Sequence, residues 1–167
     1  MALEQSAGGA GAPLPAGFGE VGGALLQGHE NLAARRGITP AQMEGLFNVS
    51  YERYLVGDYE AAARGFELLC LYDHENLKYL QGYGYCLQAL RNYPKAAICW
   101  HFSAMLMQRG SSEWAEACLN AARLFAGSGA ARQQARTVVQ SVLEALPDTD
   151  SAARTQALAL GQALSDA

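Results

Sequence analysis

The sequence predicts an all-α fold built from stacked helical hairpins, and three observations predict it. Half of the 167 residues are apolar and only 17% are charged, so most of the chain can be drawn into one core. Ala and Leu dominate while Val, Ile and Thr are scarce, a mixture that favours helix over strand. Small, aromatic and Ala positions also return at one fixed interval: Ser50, Tyr59, Ala62 and Phe66 are matched by Gly84, Tyr93, Ala96 and Trp100.

The elements follow in order. Residues 1–22 are rich in Gly, Ala and Pro, with "SAGGAGAPLPAGFGEVGG" running from Ser6 to Gly23. Such a segment buries too little apolar surface to offset its ordering entropy, so it reads as a flexible lead-in to a single domain over 23–167. A short helix is expected over 23–35, closed by Gly37. Thr39 is a good N-cap, Pro40 suits the first helical position and Gln42 completes a capping box, which opens a helix over 40–56. Gly57 and Asp58 break it, and a helix over 59–72 follows. "YDHEN" turns the chain into a helix over 77–90, and "RNYP" turns it into one over 94–108. Ser111 or Ser112 caps a helix from Glu113, which "GSG" at 127–129 ends. A helix over 130–146 and an amphipathic one over 151–164 complete the chain.

The interval, about 34 residues, and the order of the repeated positions resemble the tetratricopeptide repeat, a helix-turn-helix unit. Two closely packed helices need small residues where they meet. Ser50 is expected to meet Ala62, and Gly84 to meet Ala96. Tyr59 and Tyr93 are placed to plug the turns, and Phe66 and Trp100 to reach the following repeat. The units are about 43–76, 77–110 and a degenerate 111–146, stacked in a right-handed superhelix with flanking cap helices. Three departures stand out. His74 and Gln108 replace the usual closing Pro, Arg91 stands where Gly57 stands one unit earlier, and after Trp114, Ala117 and Cys118 the third unit matches poorly.

Charge and motifs exclude several function classes. The net charge is −4 and the twelve basic residues are scattered, whereas a hold on nucleic acid needs them clustered. No apolar run nears the ~18 residues of a membrane span. The first basic residue is Arg35, and no secretory signal pattern precedes it, so a cytoplasmic protein is expected. Cys70, Cys86, Cys99 and Cys118 form no CxxC and read as reduced, buried thiols. Cys99, His101 and Cys118 lack the ligand spacing of a zinc site. No metal or cofactor is expected. No nucleophile elbow, phosphate loop or HExxH occurs, and "GYGYC" at 82–86 lies within an expected helix. His29, His74 and His101 are isolated. Enzymatic activity is not expected.

What remains is surface. The helix over 40–56 carries two apolar stripes, Leu46, Val49 and Ser50 on one and Phe47, Tyr51 and Tyr54 on the other, roughly 110° apart. The first is expected to face the partner helix, which cannot cover both. First helices of stacked hairpins line the concave side, which assigns the second stripe to a groove. The matching positions one unit later are Gln81, Tyr85 and Gln88, with Glu44 and Lys78 at the preceding position of each unit. Tyrosine suits peptide binding, combining apolar area, a hydroxyl and low rotamer entropy. The competing reading packs Phe47, Tyr51 and Tyr54 against the N-terminal helix or makes them ordinary core.

Two stretches, "LAARRGITPAQMEGLFNVSYERYLVGDYEAAARGFELLCLYDHEN" and "YLQGYGYCLQALRNYPKAAICWHFSAML", resemble the class II chaperones of type III secretion translocators. The resemblance spans roughly Leu25 to Trp114. It implies a bacterial cytoplasmic protein that keeps translocators soluble until export and takes an extended, proline-containing N-terminal client segment into the groove. By this likeness Phe47, Tyr51 and Tyr54 receive apolar anchors and Tyr85 extends the site. It also implies a homodimer through residues 20–38 and no nucleotide. The alternative is a generic repeat scaffold for protein assembly.

Overall fold

The computed structural model describes residues 32–127, 131–147 and 151–166. The lead-in over 1–22 lies outside them, as does most of the helix expected over 23–35. So does the part of the 20–38 dimer segment before Leu32.

The described residues form α1 (Leu32–Arg35), α2 (Pro40–Leu55), α3 (Tyr59–Tyr72), α4 (Leu77–Ala89), α5 (Tyr93–Met105), α6 (Ser112–Ala126), α7 (Arg132–Ala145) and α8 (Ala152–Ser165). Local chemistry sets their ends. The Gln42 amide donates to Thr39 Oγ1 at 3.2 Å while the Thr39 amide donates to Gln42 Oε1 at 2.8 Å, a complete capping box. Asp58, Asn76, Ser111 and Ser151 each accept a backbone N–H of the first turn they open. Gly57 closes α2 with φ of 82°, and Arg91 closes α4 with φ of 57°. The departure from the repeat at Arg91 is therefore a side chain held in the left-handed region that Gly57 occupies freely.

Neighbouring helices pack pairwise in chain order from α2 to α8. In addition α2 meets α4 and α6 meets α8, whereas α3, α5 and α7 do not meet one another. Among the first helices α2 meets α4, while α4 and α6 make no direct contact; in tetratricopeptide hairpins the first helices line the inside of the curve.

Two glycines mark where the paired helices pack closely. A methyl placed on Gly65 would collide with the Ser50 hydroxyl, so Gly65 is where α3 comes down on Ser50. A methyl on Gly84 would lie 3.3 Å from Trp100 Nε1 and 3.5 Å from Cys99 Cβ. Gly65 and Cys99 are one helical turn beyond the expected Ala62 and Ala96, and they too are equivalent positions of successive units. Ala62 and Ala96 are fully buried in the core. Phe66 does reach the following unit: its ring lies on α4, where a methyl at Gly82 would come within 2.7 Å of it.

The third unit is a repeat with a longer connection. Tyr59 and Tyr93 open α3 and α5 one period apart, but α7 opens only at Arg132, later than the same period would set it. When Arg132 is laid on Tyr93, the buried row Ala135, Val138, Val139 and Val142 falls on Ala96, Cys99, Trp100 and Ser103 of α5. The extra residues ahead of Arg132 hide the match from a fixed period. α8 then closes the stack. The Arg154 guanidinium donates to the Leu143 and Leu146 carbonyls at 2.9 and 3.0 Å, and Arg136 donates to the Leu164 carbonyl at 2.6 Å. These bonds satisfy carbonyls that helix ends leave without partners. Among the described residues, no helix is long and apolar enough to cross a membrane.

Candidate functional site: an aromatic row inside the curve

α2 and α4 carry the predicted residues at repeat-equivalent positions. Tyr51 is 48% exposed and Tyr85, its counterpart in the next unit, is 46% exposed. Leu55, one turn after Tyr51 on the same face, is 64% exposed. The periodicity of apolar residues after Tyr51 signalled Leu55, which the sequence reading left out. Glu44 and Lys78 stand exposed at the start of the row, and Gln81 and Gln88 are half-buried.

Phe47 and Tyr54 sit deeper. The Phe47 ring stacks beside Tyr51 with centroids 6.1 Å apart and planes at 4°. It meets Phe66 edge-on at 5.8 Å and tilts against Tyr79 at 6.0 Å. Tyr54 is half-buried against Tyr59, with centroids 5.5 Å apart. Burial pushes its phenol above the ordinary range, with Tyr59 adding to the effect. The stripe is therefore neither wholly core nor wholly open: Tyr51 faces solvent, while Phe47 and Tyr54 form its floor. Two other expectations are corrected. Val49 does not face the partner helix and is 53% exposed, and Tyr93, 45% exposed, does not plug its turn as Tyr59 does. The register of α3 on α2 runs through Ser50 and Gly65, which turns Val49 outward.

The second unit is supported from behind by Trp100, which is buried. Its ring meets Tyr85 edge-on, centroids 4.9 Å apart and planes at 87°. Its Nε1 donates to Gln88 Oε1 at 3.0 Å. Gly84 makes room for the indole to lie there. Tyr83, on the other side of α4, donates to Glu67 at 2.9 Å and ties α4 to α3. Burial and that carboxylate raise the Tyr83 phenol.

The row stops after α4. The positions one further period beyond Gln81, Tyr85 and Gln88 are Ala115, Leu119 and Ala122, all buried, and α8 packs on α6. The geometry is thus a short, weakly charged, aromatic-floored face on α2 and α4. It offers apolar anchoring and a few hydrogen-bond tips, and no acid–base or nucleophilic pair.

The thiols have no place in that chemistry. Burial pushes Cys86 up to about 11 and Cys99 and Cys118 to about 12, and it raises Cys70 as well. All four are free. Among the described residues, no three His, Cys, Asp or Glu side chains gather as metal donors.

No family model matches the chain. "Low calcium response locus protein H" of Yersinia pestis is 27% identical over 137 residues, covering 73% of this chain and 82% of that protein. A type III secretion complex from Aeromonas hydrophila superposes with a TM-score of 0.62 at 22% identity, over 87% of this chain and 93% of that one. The Yersinia enterocolitica type III secretion chaperone SycD, in complex with a peptide of the translocator YopD, superposes with a TM-score of 0.60 at 22% identity. That match covers 77% of this chain and 95% of SycD. The hairpin stack described above is therefore the fold of the type III secretion translocator chaperones, as the resemblance implies.

Proposed function

We propose that this protein is a cytoplasmic chaperone for translocators of a type III secretion apparatus, holding an extended N-terminal client segment along the row on α2 and α4. One observation carries the reading: Tyr51 and Tyr85, at equivalent positions of successive units, each leave nearly half their surface to solvent on the inner face of the stack. Rings held on a rigid helical floor take up apolar side chains with little loss of rotamer freedom. An extended segment lying across two helices can place an anchor beside each ring. SycD, which shares the fold, was solved with a translocator peptide bound. A scaffold that captures a terminal carboxylate needs several cations along this face, and Lys78 is the one basic side chain in the row.

The test is co-expression with the translocators encoded in the same genome, followed by copurification. The reading predicts a soluble complex with at least one of them, lost in Tyr51→Ala/Tyr85→Ala. Copurification unaffected by that double substitution would place the client elsewhere.

A further inference from the structure

Gln88 is the one amide of the row whose orientation the structure fixes. An indole N–H can only donate, so the atom that Trp100 Nε1 meets at 3.0 Å must be the amide oxygen of Gln88. The Nε2 group therefore turns the other way. It makes no hydrogen bond to any of the described residues and is not sealed in the interior. It lies on α4 one turn after Tyr85, whose ring stands on the same indole. Trp100 is buried and seated over Gly84, so it is itself held in place. One indole thus sets a ring and a two-proton donor side by side on the inner face.

We propose that Gln88 recognises the main chain of the bound segment, its Nε2 donating to a backbone carbonyl while Tyr85 covers the neighbouring side chain. Trp100 acts as the positioning residue for both. An extended segment carries carbonyls without partners along its whole length, so a donor at this place holds it whatever its side chains are. Clients of differing sequence are then accepted provided they are extended. The amide has no rotamer search left to make when the segment arrives, because the indole has already oriented it. The equivalent position in the first unit is Tyr54, whose tip is a hydroxyl, so both units pair a solvent-facing tyrosine with a polar group one turn on.

The inference rests on the proposed chaperone reading, and one experiment separates the two. Overlapping peptides of about 15 residues, long enough to span both units when extended, tile the translocators of the same genome, and the peptide binding the wild-type chain most tightly is the probe. Gln88→Glu keeps an oxygen for the Trp100 indole but replaces the donor with acceptors. Its urea midpoint is expected to stay at the wild-type value, and its affinity for the probe at pH 7.5 to fall on the order of tenfold or more. Trp100→Phe releases the amide and is expected to weaken binding less. The double variant is expected to bind no worse than Gln88→Glu alone, because both act through one group. If Gln88 serves only to satisfy the indole, Gln88→Glu binds within twofold of wild type while Tyr85→Ala does not, and the inference falls with the chaperone reading intact. If no peptide binds the wild-type chain, the chaperone reading fails and takes this one with it; if Tyr51→Ala/Tyr85→Ala binds as well as wild type, the client lies elsewhere and this inference falls.

Discussion

Trp100 meets Tyr85 edge to face, ring centroids 4.9 Å apart and planes at 87°. Phe66, which holds the place of Trp100 one unit earlier, does the same to Phe47 at 5.8 Å and 79°. In each of the first two units, then, a buried aromatic of the second helix steadies a ring of the first. Such pairs contribute about 0.5–1.5 kcal/mol beyond area burial. The support holds the inner face in one geometry before any partner arrives.

The exposed rings can be tested without disturbing the fold. Tyr51 and Tyr85 keep nearly half their area in solvent, so Tyr51→Ala/Tyr85→Ala leaves helicity by circular dichroism unchanged. Each anchor lost from a well-packed interface costs on the order of 2 kcal/mol, about thirtyfold in affinity. Titration calorimetry against a client's N-terminal peptide measures the loss. Unchanged affinity rejects the inner face as the binding surface.

Three helical glycines separate packing from propensity. Gly45 faces open space, whereas a methyl at Gly65 strikes Ser50 and one at Gly82 strikes the Phe66 ring. Gly45→Ala is expected to stabilise by up to about 1 kcal/mol through helix propensity. Gly65→Ala and Gly82→Ala are expected to destabilise by about 1–3 kcal/mol through overpacking. Urea unfolding of the three variants gives the ranking, and a stabilised Gly65→Ala would contradict the α2–α3 register.

The two left-handed turn positions make opposite predictions. Arg91 carries a side chain at φ of 57° where Gly57 has φ of 82°. Arg91→Gly is expected to raise stability by about 0.5–1 kcal/mol, and Gly57→Ala to lower it by about 1 kcal/mol. Thermal melts of both variants show whether the repeat deviation at Arg91 is a local strain.

His101 gives the acid limb of stability a specific source. Burial depresses its pKa, its Nδ1 is buried without a partner among the described residues, and its ring lies 6.4 Å from that of Phe125. The unfolded chain takes up this proton near the ordinary value of about 6.5 while the folded chain resists it. Stability on this account is full above about pH 6.5 and falls as the pH drops toward the depressed folded value, by up to about 1.4 kcal/mol per pH unit. Urea midpoints between pH 7.5 and 5 are expected to fall less steeply in His101→Leu than in wild type. Parallel slopes would assign the acid sensitivity to other groups.

Helix ends and helix faces were legible in the sequence because they depend on contacts within one turn. Thr39 with Gln42, Asp58, Ser111 and Ser151 act on backbone groups three residues away, and the regular recurrence from Tyr59 to Tyr93 marks units that repeat the same hairpin. The tertiary structure decided what lies across a helix pair. There, the register that brings Gly65 down on Ser50 is set between helices, and a longer connection moves α7 off the period. Neither quantity is written in any local spacing. The same reason divides the row inside the curve: its residue types recur along the chain, but which ring opens to solvent, which becomes floor, and which way the Gln88 amide points depend on Phe66, Tyr59 and Trp100 arriving from neighbouring helices.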